Sequence, residues 1–167
     1  LMNALENSLI NNGINIENIG IVTSPLLYYA AKKHSSKSGI MITGSHNPKE
    51  YNGIKMIIDD EPVSGKEIFE LIGTPNNKTI KGTSSVNEDV IDNYIEEVKS
   101  KSIQSKDKIK VVIDCGNGAA GVIAPKLFTA LGFNVVEIYS EVDGNFPNHH
   151  PDPGNPENLK DLSDKVL

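Results

Sequence analysis

Apolar positions along this chain follow two rhythms, one close to every third or fourth residue and one of short unbroken runs. Leu5, Leu9 and Ile10 fall on one face of residues 3–12 with Gly13 as a stop, so the spacing predicts a helix there. The run NIGIVTS (18–24) reads as a short buried strand. Ser24-Pro25 then opens a second helix through PLLYYAAKKH, with serine at the cap and proline in the first turn. SGIMITGS (38–45) and YNGIKMIID (51–59) are further strands, and a helix is expected at about 64–72. Strand, helix and strand in that order predict a crossover unit, and unbroken apolar strands imply a sheet covered on both faces.

The second half repeats the theme. NEDVIDNYIEEVKS (87–100) is amphipathic, with asparagine or serine as the cap, and the segment from Lys108 to Glu141 reads as strand, glycine loop, helix, Gly132 and strand. Between the halves, GTPNNKTIKGTSSV (73–86) is poor in apolar groups and rich in turn formers, which suits a connector. The expected fold class is therefore α/β, with mixed sheets sandwiched by helices in two successive α/β units, 1–85 and 86–167. The first residues read like the middle of a helix, and PENLKDLSDKVL at the other end stops inside a helical pattern. Both ends are expected to have been cut from a longer protein.

Composition narrows the partners. A net charge of −6 with a pI near 5.2, and no basic tract, argues against a nucleic-acid footprint and favours a small-molecule partner. The apolar runs fall far short of the roughly 18 residues that cross a bilayer, so no membrane association is expected. Cys115 is the only cysteine, which excludes an internal disulfide and fits a reducing cytoplasm.

Two loops compete for the chemistry. Gly116, Gly118 and Gly121 spell G-x-G-x-x-G between a predicted strand and helix, with Glu137 at the end of the next strand, as in a dinucleotide-binding loop. Asp114 stands just before the first glycine, where its carboxylate would repel a pyrophosphate unless paired. The alternative reading is a tight turn and close helix-on-sheet packing. The other loop, TGSHNPKEYNGIK (43–55), breaks two apolar runs to present Ser45, His46 and Asn47. On its own Ser45 reads as a turn residue. With His46 able to exchange protons, Asn47 able to hydrogen-bond and Lys55 on the following strand, the hydroxyl could instead act as a nucleophile or carry a phosphoryl group. His149 and His150 in FPNHHPDP invite a metal reading, but adjacent residues of an extended segment point apart, and they read as structural loop residues.

TGSHNPKEYNGIK resembles the phosphoserine loop of the α-D-phosphohexomutases. VVIDCGNGAAGVIAPKLFTALG (111–132) and EVDGNFPNHHPDPGNPENLKDL (141–162) are similar to the second domain of the same family. The resemblance covers nearly the whole chain and is closest to the phosphomannomutase/phosphoglucomutase branch. It implies a cytoplasmic four-domain enzyme, monomer or dimer, that interconverts hexose 1-phosphate and hexose 6-phosphate. Ser45 would carry the phosphoryl group and give one ligand to Mg2+, with a hexose 1,6-bisphosphate as intermediate and activator. Lys55 would be a general acid or base, and His46 would orient the loop or act in catalysis. Asn47 and Thr23 would approach the substrate. The family's D-G-D-x-D-R metal loop does not occur in these residues, so the chain alone is expected to be inactive. An NAD-dependent oxidoreductase and a catalytically dead sugar-phosphate binding module are the other readings, and the sequence leaves the preferred hexose open.

Overall fold

The computed structural model describes residues 1–70, 73, 80–103 and 107–167. Its elements run α1 (Met2–Asn11), β1 (Ile16–Asn18), α2 (Ser24–Lys33), β2 (Gly39–Thr43), β3 (Gly53–Ile58), β4 (Glu61–Val63), α3 (Gly65–Glu70) and β5 (Ser84–Val86). They continue as α4 (Val90–Lys101), β6 (Lys110–Asp114), α5 (Ala124–Ala130), β7 (Asn134–Ile138) and α6 (Lys160–Val166), with short 3-10 turns leading into α5 and α6. The α/β class predicted from the apolar rhythm is the class observed.

The chain folds as two compact units, each drawn from more than one stretch. The first takes Leu1–Gly20, Leu27–Thr43 and Gly53–Val90, and the second takes Ile21–Leu26, Gly44–Asn52 and Ile91–Leu167. In the first unit β1 pairs in parallel with β5, Ile16 opposite Ser84 and Asn18 opposite Val86. A separate antiparallel sheet runs β2-β3-β4, with Met41 opposite Lys55 and Thr43 opposite Gly53. Gly39 is where α2 meets this sheet, since a Cβ there would come 2.9 Å from Leu27 Cδ1 and 3.5 Å from the Ala31 methyl. Leu27, Ala31 and Ile57 are correspondingly buried.

Several expectations for this unit are corrected. The first strand is Ile16–Asn18 rather than residues 18–24, and the chain leaves it through Gly20 at φ +72. It also bonds to β5, not to β2, so no crossover joins the first two strands. Residues 84–86, which composition assigns to the connector, form β5 because their backbone groups complete the edge of β1. β4, absent from the expected elements, follows a two-residue reversal after Ile58 in which Asp59 and Asp60 both take positive φ, and it pairs back on β3. The sheet is also not closed on both faces within the described residues, where Ile54 is 57% exposed. The helix expected over 64–72 is observed over Gly65–Glu70, with Glu67 accepting from the Ser64 N–H and Ser64 Oγ accepting from the Glu67 N–H. Its last two positions and residues 74–79 lie outside the described residues.

In the second unit β6 and β7 pair in parallel, Lys110 opposite Asn134 and Asp114 opposite Ile138. α5 packs on β7 and α6 on β6. Gly132 at φ +93 ends the helix region and returns the chain to β7, as the pattern predicts. Val22, Leu26, Ile95, Cys115 and Ile123 are buried. No helix among the described residues is long and apolar enough to cross a membrane.

Candidate active site

β2 stops at Thr43, and the next residues make a tight reversal. The Asn47 N–H donates to the Gly44 carbonyl at 3.1 Å, and the Tyr51 N–H donates to the Pro48 carbonyl at 2.9 Å. Inside the first turn Ser45 takes φ +53, in the left-handed region. A non-glycine residue there costs on the order of 1–3 kcal/mol, so the surrounding structure must hold it. Gly44 lets the two arms of the reversal come close, since a Cβ on it would lie 3.0 Å from the Tyr51 carbonyl oxygen. Ser45, His46 and Asn47 are all exposed on the outside of this reversal.

The segment 149–151, of the same unit, clasps the turn. The His46 Nδ1–H donates to the Pro151 carbonyl at 2.7 Å, and the His150 Nε2–H donates to the His46 carbonyl at 3.0 Å. A carbonyl oxygen can only accept, so each contact sets a tautomer. In neutral His46 the proton sits on Nδ1 and the lone pair on Nε2.

His149 faces the other way. Its Nε2 lies 3.0 Å from Asp114 Oδ2 and its Nδ1 lies 3.0 Å from the His150 carbonyl, two acceptors for one ring. Tyr139 packs edge-on against it at 5.5 Å. Burial of the ring works against the proton. The His150 carbonyl and Asp114 hydrogen bonds, with the charges of Asp114 and Asp161, outweigh it and raise the His149 pKa. The side chains of the pair are 16% and 6% exposed. Next to Asp114, Cys115 is held as the thiol: burial raises its pKa most, and Asp114 and Glu137 add to that against a hydrogen bond from Ser140. That is the opposite of an activated nucleophile.

The glycine loop is packed rather than open. The Gly116 N–H donates to Asp114 Oδ1 at 2.8 Å, Asn117 N–H to the Tyr139 carbonyl at 2.8 Å, Gly118 N–H to the Cys115 carbonyl at 2.8 Å, and Gly121 N–H to the Gly118 carbonyl at 3.0 Å. Amides committed in this way are not offered to a pyrophosphate. Gly121 permits contact with β7's exit, since a Cβ there would sit 1.9 Å from the Ser140 carbonyl oxygen. The buried Asn117 carboxamide reaches the Glu141 carbonyl and accepts from Asn148, tying the loop to the 141–148 segment. The dinucleotide reading is not favoured.

Of the sequence-predicted residues, Ser45, His46 and Asn47 come together on one turn of the second unit. Thr23 is half-buried ahead of α2, where its carbonyl accepts the Leu26 N–H at 3.0 Å. Lys55 is half-buried on β3 of the first unit, opposite Met41. Among the described residues no group of three or more His, Cys, Asp or Glu is arranged to hold a metal ion. Ser45 alone does not make a Mg2+ site, whose near-octahedral shell needs further oxygen ligands. The roles of His150, and of the Asp114–His149 pair behind it, escaped the sequence reading. Thirty-five residues separate that pair, and a carboxylate before a glycine loop was the one signal available.

Comparison with known proteins follows the same geometry. The family profile described as phosphoglucomutase/phosphomannomutase, alpha/beta/alpha domain I, matches residues 1–81, and the profile for domain II matches residues 92–167. A phosphomannomutase/phosphoglucomutase of Pseudomonas syringae pv. tomato is 47% identical over 99% of this chain and 36% of its own length. A phosphoglucomutase of Neisseria gonorrhoeae is 43% identical over 97% of this chain and 36% of its own. A crystal structure of a phosphoglucomutase/phosphomannomutase family protein from Burkholderia thailandensis superposes with a TM-score of 0.87 at 38% identity, covering 99% of this chain and 38% of that one. The chain thus spans little more than a third of the length of these relatives.

Proposed function

The chain belongs to the phosphoglucomutase/phosphomannomutase family, and on that premise we propose that it is the part of a hexose-phosphate mutase that carries the transferred phosphoryl group on Ser45. The observation that carries this reading is the positive φ of Ser45, an exposed serine held in a strained turn that the 149–151 segment clasps. Phosphoryl transfer asks chiefly for positioning and charge neutralisation, with little covalent chemistry left to the protein. A clasped turn that holds one exposed serine meets the first demand.

In this reading the Ser45 oxygen bears the phosphoryl group, gives it to one hydroxyl of a hexose monophosphate, and takes the other phosphoryl group back from the resulting bisphosphate. His46 offers Nε2 toward protons released or taken up at the turn, Lys55 contributes a cation or a proton-transfer group, and Asn47 and Thr23 contact the sugar phosphate. A divalent cation such as Mg2+ would neutralise phosphate charge. Its remaining ligands are not gathered among the described residues. Mannose or glucose phosphates are the expected substrates, a reducing cytoplasm the expected setting, and the 167 residues alone are expected to be inactive.

The test is the intact mass and peptide map of the full-length polypeptide carrying these residues, after incubation with glucose 1,6-bisphosphate and Mg2+. One added phosphoryl group on Ser45 is expected. A folded protein with no added phosphate would overturn the reading.

A further inference from the structure

We propose that His150 is a positioning residue for the Ser45 turn, acting through the carbonyl of His46. This rests on the reading of Ser45 as the phosphoryl carrier. The His46 carbonyl belongs to the peptide that joins the residue after the strained serine to Asn47, inside the same turn, so a donor fixed on it limits how far the turn can relax. His150 provides that donor at 3.0 Å, and His46 returns a bond to Pro151 at 2.7 Å. Reciprocal bonds from adjacent residues of one segment resist both rotation and lifting of the turn, where a single bond would resist only one.

The clasp is itself supported. The His150 carbonyl accepts from the Asp152 N–H at 2.8 Å and meets His149 Nδ1 at 3.0 Å, so its oxygen is held by two partners. His149 is anchored on Asp114 at the end of β6, and Asn148 is anchored on Asn117 at 2.7 Å. Pro147, Pro151 and Pro153 restrict the same segment. A line of contacts therefore runs from the β6 terminus to the residue after Ser45. A side chain that acts by holding another residue is best revealed by a rate, an exchange measurement and rescue, rather than by stability.

His150 is exposed, so its removal should leave the fold intact. In the 167-residue chain, His150→Ala is expected to speed hydrogen exchange at the Asn47 amide by about tenfold or more, with the Leu127 amide of α5 unchanged as an internal control. In the full-length polypeptide, the same variant is expected to lower kcat for phosphoryl transfer to Ser45 from glucose 1,6-bisphosphate by about tenfold to a hundredfold, with KM little changed. His150→Gln, whose amide can donate to the same carbonyl, is expected to restore most of both. Unchanged Asn47 exchange, or faster exchange with an unchanged rate, would overturn the proposal. A wild-type protein that takes no phosphoryl group overturns the phosphoserine reading instead, and the Asn47 exchange rate then still decides whether His150 holds the turn.

Discussion

His149 Nε2 lies 3.0 Å from Asp114 Oδ2 while its Nδ1 lies 3.0 Å from the His150 carbonyl, an arrangement of two acceptors that favours the protonated ring. The folded pKa is raised above the ordinary 6.5. A raised pKa in the folded state means that the pair's contribution is complete below 6.5 and is lost as pH rises through the folded value. Tyr139 and Asp161 are the other titratable groups facing the ring. Urea midpoints of the chain are expected to fall with rising pH across that window, and the slope is expected to flatten in His149→Gln. A wild-type midpoint that rises over the same window would show that the ring is neutral in the fold.

Ser45 at φ +53 stores strain that a glycine would release. Ser45→Gly is expected to be more stable than Ser45→Ala by about 1 kcal/mol, measured as a difference in urea unfolding, because only the alanine keeps a Cβ in the left-handed region. Both variants are expected to lose phosphoryl acceptance in the full-length polypeptide while keeping the wild-type far-UV spectrum. Equal stabilities would mean that the turn relaxes at no cost.

Gly121 is required for space and Gly132 for backbone conformation, and the two should separate on substitution. A methyl at Gly121 meets the Ser140 carbonyl oxygen at 1.9 Å, whereas one at Gly132 meets nothing within 4 Å. Gly121→Ala is expected to destabilise by about 3 kcal/mol through overpacking against backbone. Gly132→Ala should cost only the strain of its positive φ, about 1 kcal/mol. Chemical denaturation of the two variants side by side checks the order.

The same loop makes a binding prediction. With the amides of Gly116, Asn117, Gly118 and Gly121 already donating inside the protein, titration of NAD+ or NADP+ by calorimetry is expected to give no saturable heat. Saturable binding, lost in Gly118→Val, would restore the dinucleotide reading.

Cys115 is buried and kept protonated, so thiol reagents at neutral pH are expected to label it only after unfolding. Labelling of the native chain as fast as in urea would contradict that burial.

Much of the fold was legible in the residues. Ser24-Pro25 marks the start of α2, Gly132 at φ +93 marks the return to β7, and the unbroken run VVID lies in β6. These are local signals, carried by caps, turn residues and apolar spacing within a few positions. β5 escaped because Ser84–Val86 has no apolar run of its own, and its strand conformation comes from pairing with residues 16–18. β1 was misplaced by the same cause. NIGIVTS is more apolar than the strand itself, yet pairing selected Ile16–Asn18 and left Ile21 61% exposed.

The candidate site divides along the same line. The sequence by itself determined that Ser45, His46 and Asn47 share one turn, since Gly44 and Pro48 bracket them. It also determined that Asp114 stands at a strand end before a glycine loop. Only the tertiary structure decided that His150 bonds to the His46 carbonyl and His46 to the Pro151 carbonyl, that His149 pairs with Asp114, and that the amide of Asn117 in the glycine loop is spent on the Tyr139 carbonyl. The His150–His46, His46–Pro151, His149–Asp114 and Asn117–Tyr139 bonds join residues far apart in the chain, and a hydrogen bond's few tenths of an ångström of tolerance are set by the packing of whole elements. Local residue spacing carries no record of that distance.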